Sequence, residues 1–290
     1  MNIEPIKNKI ISNYKKIKYN VTETYMLKKS RILHEEEYGL HDMEPLITVY
    51  TPTYNRAELL IERAVKSVLQ QTYTNFEFII IGDHCTDETE KLISNVKDKR
   101  IKFYNIPERG YRYPETPENN WFAGPVIAAN TALSLAKGKW IARIDDDDSW
   151  SENHLENLLK FAQKGGYEFV STQYLERKLG VDRIDKGVGA KDPYYTRSDL
   201  PITGDNPLIG GTSTWLYRSY LKFMKYNPDC WRKEWNKVND IDLSLRLFHA
   251  GTRMGFLNEV HAYVLPRSGE DTVGLDAYIV AEEKNYSVHS

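Results

Sequence analysis

"KWIARIDDDDSW", residues 139–150, decides how this chain is read. A mostly apolar run that suits a buried strand ends in four consecutive aspartates and a tryptophan. Four adjacent carboxylates repel one another, and a cation offsets that repulsion. Mg2+ and Mn2+ prefer oxygen ligands, and one or two carboxylates completed by phosphate is the usual Mg2+ arrangement. Carboxylates at i and i+2 after a strand can address one ion and a neighbouring hydroxyl together. The same residues also read as an acidic turn, with Ser151 capping the next helix.

The segments on either side choose the fold. "LITVYTPT" (46–53) reads as a buried strand. "RAELLIERAVKSVLQQ" (56–71) follows as a helix, with Asn55 as its N-cap and Glu58 at capping-box spacing. "FEFIII" (76–81) and "IKFYNI" (101–106) are strands, with "TDETEKLISNV" (86–96) as the helix between them. A loop at 107–124 leads into the helix "PVIAANTALSLAK" (125–137), which Gly138 closes. Strand alternating with helix at this spacing predicts a doubly wound, mostly parallel sheet. Such sheets bind ligands beyond the carboxyl ends of their strands. Three polar turns fall there: "TPTYNR" (51–56), "GDHCTDET" (82–89) and "DDDDSW" (145–150).

After Trp150 the order changes. "SENHLENLLKFAQK" (151–164) is a helix and "YEFVSTQYL" (167–175) a strand. Residues 180–209 read as a loop, and "GGTSTWLYR" (210–218) as a short strand. "NDIDLSLRLFHAG" (239–251) is a helix from Asn239 or Asp240 to Gly251, and "MGFLNEVHAYVL" (254–265) holds one or two closing strands. Asp240 and Asp242 suit either caps that complement the helix dipole or a general base aimed into a cleft.

Composition excludes several classes. The apolar runs are far shorter than a bilayer crossing, and no signal-peptide pattern opens the chain. Two cysteines, Cys85 and Cys230, imply no disulfide framework and suit a reducing cytoplasm. Neither a G-x-G-x-x-G nor a Walker phosphate loop occurs. Eight Lys/Arg against Glu4 and Glu23 give residues 1–31 a net charge of +6, which leaves −8 for the rest of a chain of net −2. Basic charge confined to one end of an acidic body argues against a nucleic-acid partner. In that segment Ile3, Ile6, Ile10, Tyr14, Ile17, Val21 and Tyr25 fall at helical spacing. Two readings stand side by side: peripheral contact with an anionic membrane, or packing on the chain's own domain or a second subunit, as in a homodimer.

Taken together, these motifs resemble inverting glycosyltransferase family 2, which has the GT-A fold. "ITVYTPTYNR", "FEFIIIGDHCTDET", "NTALSLAKGKWIARIDDDDSW", "GGTSTWLYR" and "NDIDLSLRLFHAG" follow the family's order across roughly residues 46–265. The resemblance implies an α/β, Rossmann-like, mostly parallel central sheet flanked by helices, with an acceptor-side subregion. It implies four regions: a basic helical segment at 1–44, a nucleotide-sugar-binding half at 45–150, a catalytic half at 151–265 and a tail at 266–290.

It further implies residue roles. Pro52, Tyr54 and Asp83 match donor-base contacts. Asp145 and Asp147 match the D-x-D pair, with Asp147 the better metal ligand for Mn2+ or Mg2+ and Asp148 the alternative if the register shifts by one. Asp240 matches the catalytic base. Trp215 and the pair Trp231 and Trp235 stand where acceptor-facing or core aromatics lie. Three departures follow. Asn239 replaces the first acid of a pair before the catalytic helix. Ala129 precedes Asn130 where the family often has Arg, which passes a phosphate or base contact to Arg109 or Arg112. A single Asp83 lies between Gly82 and His84 where two acids are usual. His261 is the candidate for a late metal ligand.

The implied reaction moves a sugar from a nucleotide-diphosphate sugar to a hydroxyl on a glycan or lipid-linked acceptor, in surface polysaccharide synthesis in the cytoplasm or at the inner face of the membrane. A nucleotidyltransferase would need a glycine-rich triphosphate loop near the first strand, and "TPTYNR" is not one. An inactive sugar-binding module would have lost the base or the D-x-D pair, and both are kept.

Overall fold

A computed structural model describes residues 4–39, 42, 44–189, 207–232 and 238–280. Helix α1 (Glu4–His34) precedes a sheet that begins with β1 (Ile47–Thr53). The chain then alternates: α2 (Ala57–Leu60) and α3 (Lys66–Leu69) joined by a π-helical turn, β2 (Phe76–Gly82), α4 (Thr89–Asn95) and β3 (Ile101–Asn105). Next come α5 (Pro117–Ala123), α6 (Val126–Leu135), β4 (Trp140–Arg143) and the short β5 (Asp148–Trp150). The second half holds α7 (His154–Gly165), β6 (Phe169–Lys178), β7 (Val181–Asp185), β8 (Val188–Gly189), β9 (Leu208–Ile209), β10 (Leu216–Arg218), α8 (Asn239–Ala250) and β11 (Met254–Val264).

The main sheet runs in the order β3-β2-β1-β4-β10-β6-β11-β5, with β7 paired to β6. β3, β2, β1 and β4 are mutually parallel; β2, β1 and β4 are buried throughout, as suits interior parallel strands, and β3 is the half-exposed edge strand. Every residue of β1 and β2 is buried. β10 enters antiparallel between β4 and β6, and β6 pairs parallel to β11. The aspartate run therefore leaves β4 at the carboxyl edge and turns directly into β5, which pairs antiparallel with β11 at Asp148↔Val264.

Local signals resolve differently in three places. Asn55 is not the cap of α2. It takes a left-handed φ of 49° and accepts from Thr86 N–H through Oδ1 at 2.8 Å, while Asp87 Oδ2 receives the Ala57 N–H at 3.1 Å. The segment expected as a loop from residue 180 carries β7 and β8, because Leu179 and Gly180 at positive φ turn the chain back on β6. Most of the remainder of that expected loop, and Trp235, lie outside the described residues. The segment expected as a tail after residue 265 folds back as far as residue 280: Val273 and Ala277 are buried, and residues 275–280 are helical. No helix among the described residues is long and apolar enough to cross a membrane.

Candidate active site

A cavity of about 690 Å3 opens where the carboxyl ends of β1, β2 and β4 meet the start of α8 and the C-terminal segment. Pro52, Tyr54, Asp83, Arg109, Asp145, Asp147 and Asp240 all line it. Positions far apart in sequence converge because parallel strands deliver their exit turns to one edge.

Asp83 directly follows β2 and is buried. Its Oδ2 accepts from Arg112 Nη1 at 2.7 Å, and Arg109 Nε lies 3.3 Å away. Oδ1 is as close to Arg112 but off its N–H direction, and makes no hydrogen bond. Arg109 also stacks over the Tyr54 ring at 4.2 Å. This cluster presents an aromatic face, a cation and a buried acceptor, the kit for a planar heterocycle with a ring N–H. Arg112 is outside the cavity lining, and its guanidinium is spent on Asp83 and on the Arg109 carbonyl.

The four aspartates have separate environments. Asp146 is buried, accepting from Thr53 Oγ1 at 2.7 Å and Arg56 Nη1 at 2.9 Å; burial raises its pKa against the pull of Arg56. All four border the cavity, but Asp145 and Asp147 keep 30% and 29% of their side chains exposed, against 6% for Asp146, so these two are the more open to a ligand. Asp148 is buried on Ser213 Oγ at 2.5 Å. Burial pushes its carboxyl well above the usual range, and the charges of Asp147 and Asp145 push it further. The donor chemistry suits a hard divalent cation shared with phosphate oxygens. Among the described residues no three His, Cys, Asp or Glu side chains cluster into a complete metal cage, so phosphate or water would complete the shell.

Three arginines that sequence reasoning did not select hold this turn. Arg56 Nη1 bridges Asp146 and Asp147, at 2.9 and 3.2 Å. Arg63 donates to the carbonyls of Asp147, Leu265 and Pro266, tying the aspartate turn to the C-terminal segment. Arg143, 2% exposed on β4, pairs with Asp145 at 2.8 Å, reaches Asn239 Oδ1 at 3.4 Å and lies 5.1 Å from the Tyr226 ring centre. A lone charge inside the apolar "WIARI" (140–144) was the available signal for Arg143.

Asp240 and Asp242 differ by about 200° around α8, so they face opposite ways. Asp240 lines the cavity, half-buried, at the first turn of the helix. Burial raises its pKa, and the Arg143 charge offsets part of that rise. Asp242 is buried and pairs with Arg246, which in turn pairs with Glu23 of α1. It therefore belongs to the docking of α1.

His261 does not reach the cavity. It is buried on β11, with Nδ1 2.8 Å from Ser151 Oγ and Nε2 2.9 Å from Glu259. The Ser151 hydroxyl is thereby drawn away from capping α7, whose N-cap is Asn153. Trp215 is buried in the core and its indole donates to Gly210 O, while Trp231 packs partly buried against the core. The C-terminal segment, not anticipated at the site, contributes Arg267, Glu270 and Tyr278, and the Tyr278 hydroxyl accepts from Arg56 at 3.1 Å.

A family model described as Glycosyl transferase family 2 matches residues 48–224. A glycosyl transferase of Escherichia coli K12 named for colanic acid biosynthesis, WcaA, is 37% identical over 216 residues, covering 70% of this chain and 66% of its own. UDP-Glc:alpha-D-GlcNAc-diphosphoundecaprenol beta-1,3-glucosyltransferase WfgD of Escherichia coli is 33% identical over 129 residues, 44% of this chain and 46% of its own. The chain thus spans less than two thirds of the length of these relatives. Among solved structures, mannosyltransferase PcManGT from Pyrobaculum calidifontis, in complex with GDP-Man and Mn2+, superposes with a TM-score of 0.55 at 18% identity, over 87% of this chain and 69% of that one. That likeness bears on the fold, a mixed α/β sheet flanked by helices.

Proposed function

The chain belongs to glycosyl transferase family 2, and from that membership we propose that it is an inverting transferase moving a sugar from a nucleotide-diphosphate sugar to an acceptor hydroxyl. The observation that carries this reading is the convergence of Asp83, the Asp145/Asp147 pair and Asp240 on one cavity.

In this reading the donor base rests against Tyr54 and Pro52, with a ring N–H on Asp83. Arg109 moves from Tyr54 toward the diphosphate. Asp147 and Asp145 would hold Mn2+ or Mg2+, which when bound would supply positive charge to the departing diphosphate. Arg56 shares Asp147, at 3.2 Å, and balances part of its charge. Arg143 keeps Asp145 fixed and favours the ionised form of Asp240. Asp240 accepts the proton of the acceptor hydroxyl as that oxygen attacks the anomeric carbon from the face opposite the leaving group. An Asp serves because the hydroxyl becomes acidic as the new bond forms. WfgD is named for a diphosphoundecaprenol-linked acceptor, which supports a lipid-linked glycan as acceptor, and WcaA is named for colanic acid biosynthesis, which supports a role in surface polysaccharide synthesis.

Calorimetric titration with a panel of nucleotide sugars, with Mn2+ or with chelator, tests the site. One donor is expected to bind in a metal-dependent way, and Asp147→Asn is expected to remove the metal-dependent part. Donor binding that ignores both metal and Asp147→Asn would reject the assignment.

A further inference from the structure

We infer that the outer face of α1 docks on the surface of an anionic lipid bilayer. The inference does not depend on the reaction proposed above.

The inner face of α1 is committed to the domain. Leu27 is fully buried, Glu23 pairs with Arg246 at 2.5 Å, Arg31 pairs with Glu168 at 2.6 Å and Lys15 pairs with Asp229 at 2.8 Å. These contacts fix the rotation of the helix. The opposite face carries Ile10, Tyr14, Ile17, Val21, Tyr25 and Ile32, between 63% and 86% exposed. All six fall within an arc of about 80° at 3.6 residues per turn. Positions 10, 21 and 32 are eleven apart, as are 14 and 25. An eleven-residue repeat gives about 3.67 residues per turn, so the stripe scarcely winds around the helix. A straight apolar stripe about 33 Å long, at ~1.5 Å per residue, matches a plane.

Charge selects the plane. Lys18 and Lys29, also eleven apart, run along one flank of the stripe, and Lys28 lies within it. All three are exposed, and none forms an ion pair among the described residues. The segment's net charge is +6 against −8 for the rest of the chain, so this is the part of an acidic protein that an anionic surface attracts. Between Glu4 and Glu35 the sequence has one acid, Glu23, and it faces inward. Tyr14 and Tyr25 are amphipathic rings of the kind that settle at headgroup depth. A second copy laid antiparallel, stripe to stripe, would set the Lys18–Lys29 line against itself. Anionic headgroups replace that repulsion with attraction.

Co-sedimentation of the full chain with vesicles of phosphatidylcholine alone, or mixed with phosphatidylglycerol, tests this. Tighter partition onto the anionic vesicles is expected. Ile17→Asp/Val21→Asp should abolish it, and Lys18→Gln/Lys29→Gln should weaken it by about 25-fold, at roughly fivefold per lysine. These positions are exposed, and circular dichroism verifies that each variant is folded. Equal or absent binding to the two vesicle types overturns the inference, as does binding that the variants leave unchanged. A lipid-free dimer that Ile17→Asp/Val21→Asp dissociates, seen by light scattering, also overturns it.

Discussion

Among single residues, the four aspartates of residues 145–148 divide by surroundings. All four border the cavity, but Asp145 and Asp147 stay partly exposed, Asp146 is spent on Thr53 and Arg56, and Asp148 is buried under Ser213. The i, i+2 spacing of Asp145 and Asp147 was legible in the sequence, although the run is a turn, closed by the Asp148 N–H on the Asp145 carbonyl at 3.2 Å, and not extended chain. The counter-charges were not, because Arg56 and Arg63 meet the run only after β1 and β4 have paired. Asp148 gives a test. Its folded pKa is raised, so its favourable contribution is complete below about pH 3.9, the unfolded carboxylate value, and is lost as pH rises through the folded value. Asn cannot ionise. Asp148→Asn is therefore expected to melt higher than wild type at pH 8 in chelator, with the advantage shrinking toward pH 4. Thermal scans across that range check it, and a less stable variant at pH 8 would contradict it.

Elements show which signals travel. The strands were legible because a fully buried parallel strand is a short apolar run, and β1, β2 and β4 are such runs. Caps were less so, because a donor at a helix start takes whichever acceptor the tertiary fold brings near. Asp87 supplies it for α2, from a turn thirty residues away. Gly138 makes the same point. It was read as a helix stop, yet α6 ends at Leu135. A Cβ at Gly138 would press on the Thr48 backbone nitrogen and lie 2.8 Å from the Leu46 carbonyl. The glycine is there so that the chain can enter β4 tightly beside β1. Gly138→Ala is expected to cost about 1–3 kcal/mol, as overpacking does, and to lower the melting temperature by several degrees. An unchanged melting temperature would remove this role.

For the whole molecule, the sequence carried the sheet class, the family and the cavity edge, and it missed the closing of the site. A stretch that is polar and irregular in isolation, residues 266–280, gave no periodic signal. It lines the cavity because Arg63 holds the Leu265 and Pro266 carbonyls and Tyr278 receives Arg56. His261 was drawn toward the metal by analogy, and strand register instead put it on Ser151 and Glu259. Asp240, which lines the cavity, and not Asp242, which is spent on Arg246, is the proposed base of the sugar transfer. The direct measurement is the transfer rate of Asp240→Asn with the donor found by titration, beside its donor affinity. Unchanged affinity and a rate about 10²–10⁴-fold lower are expected. A variant that transfers sugar at the wild-type rate would contradict it.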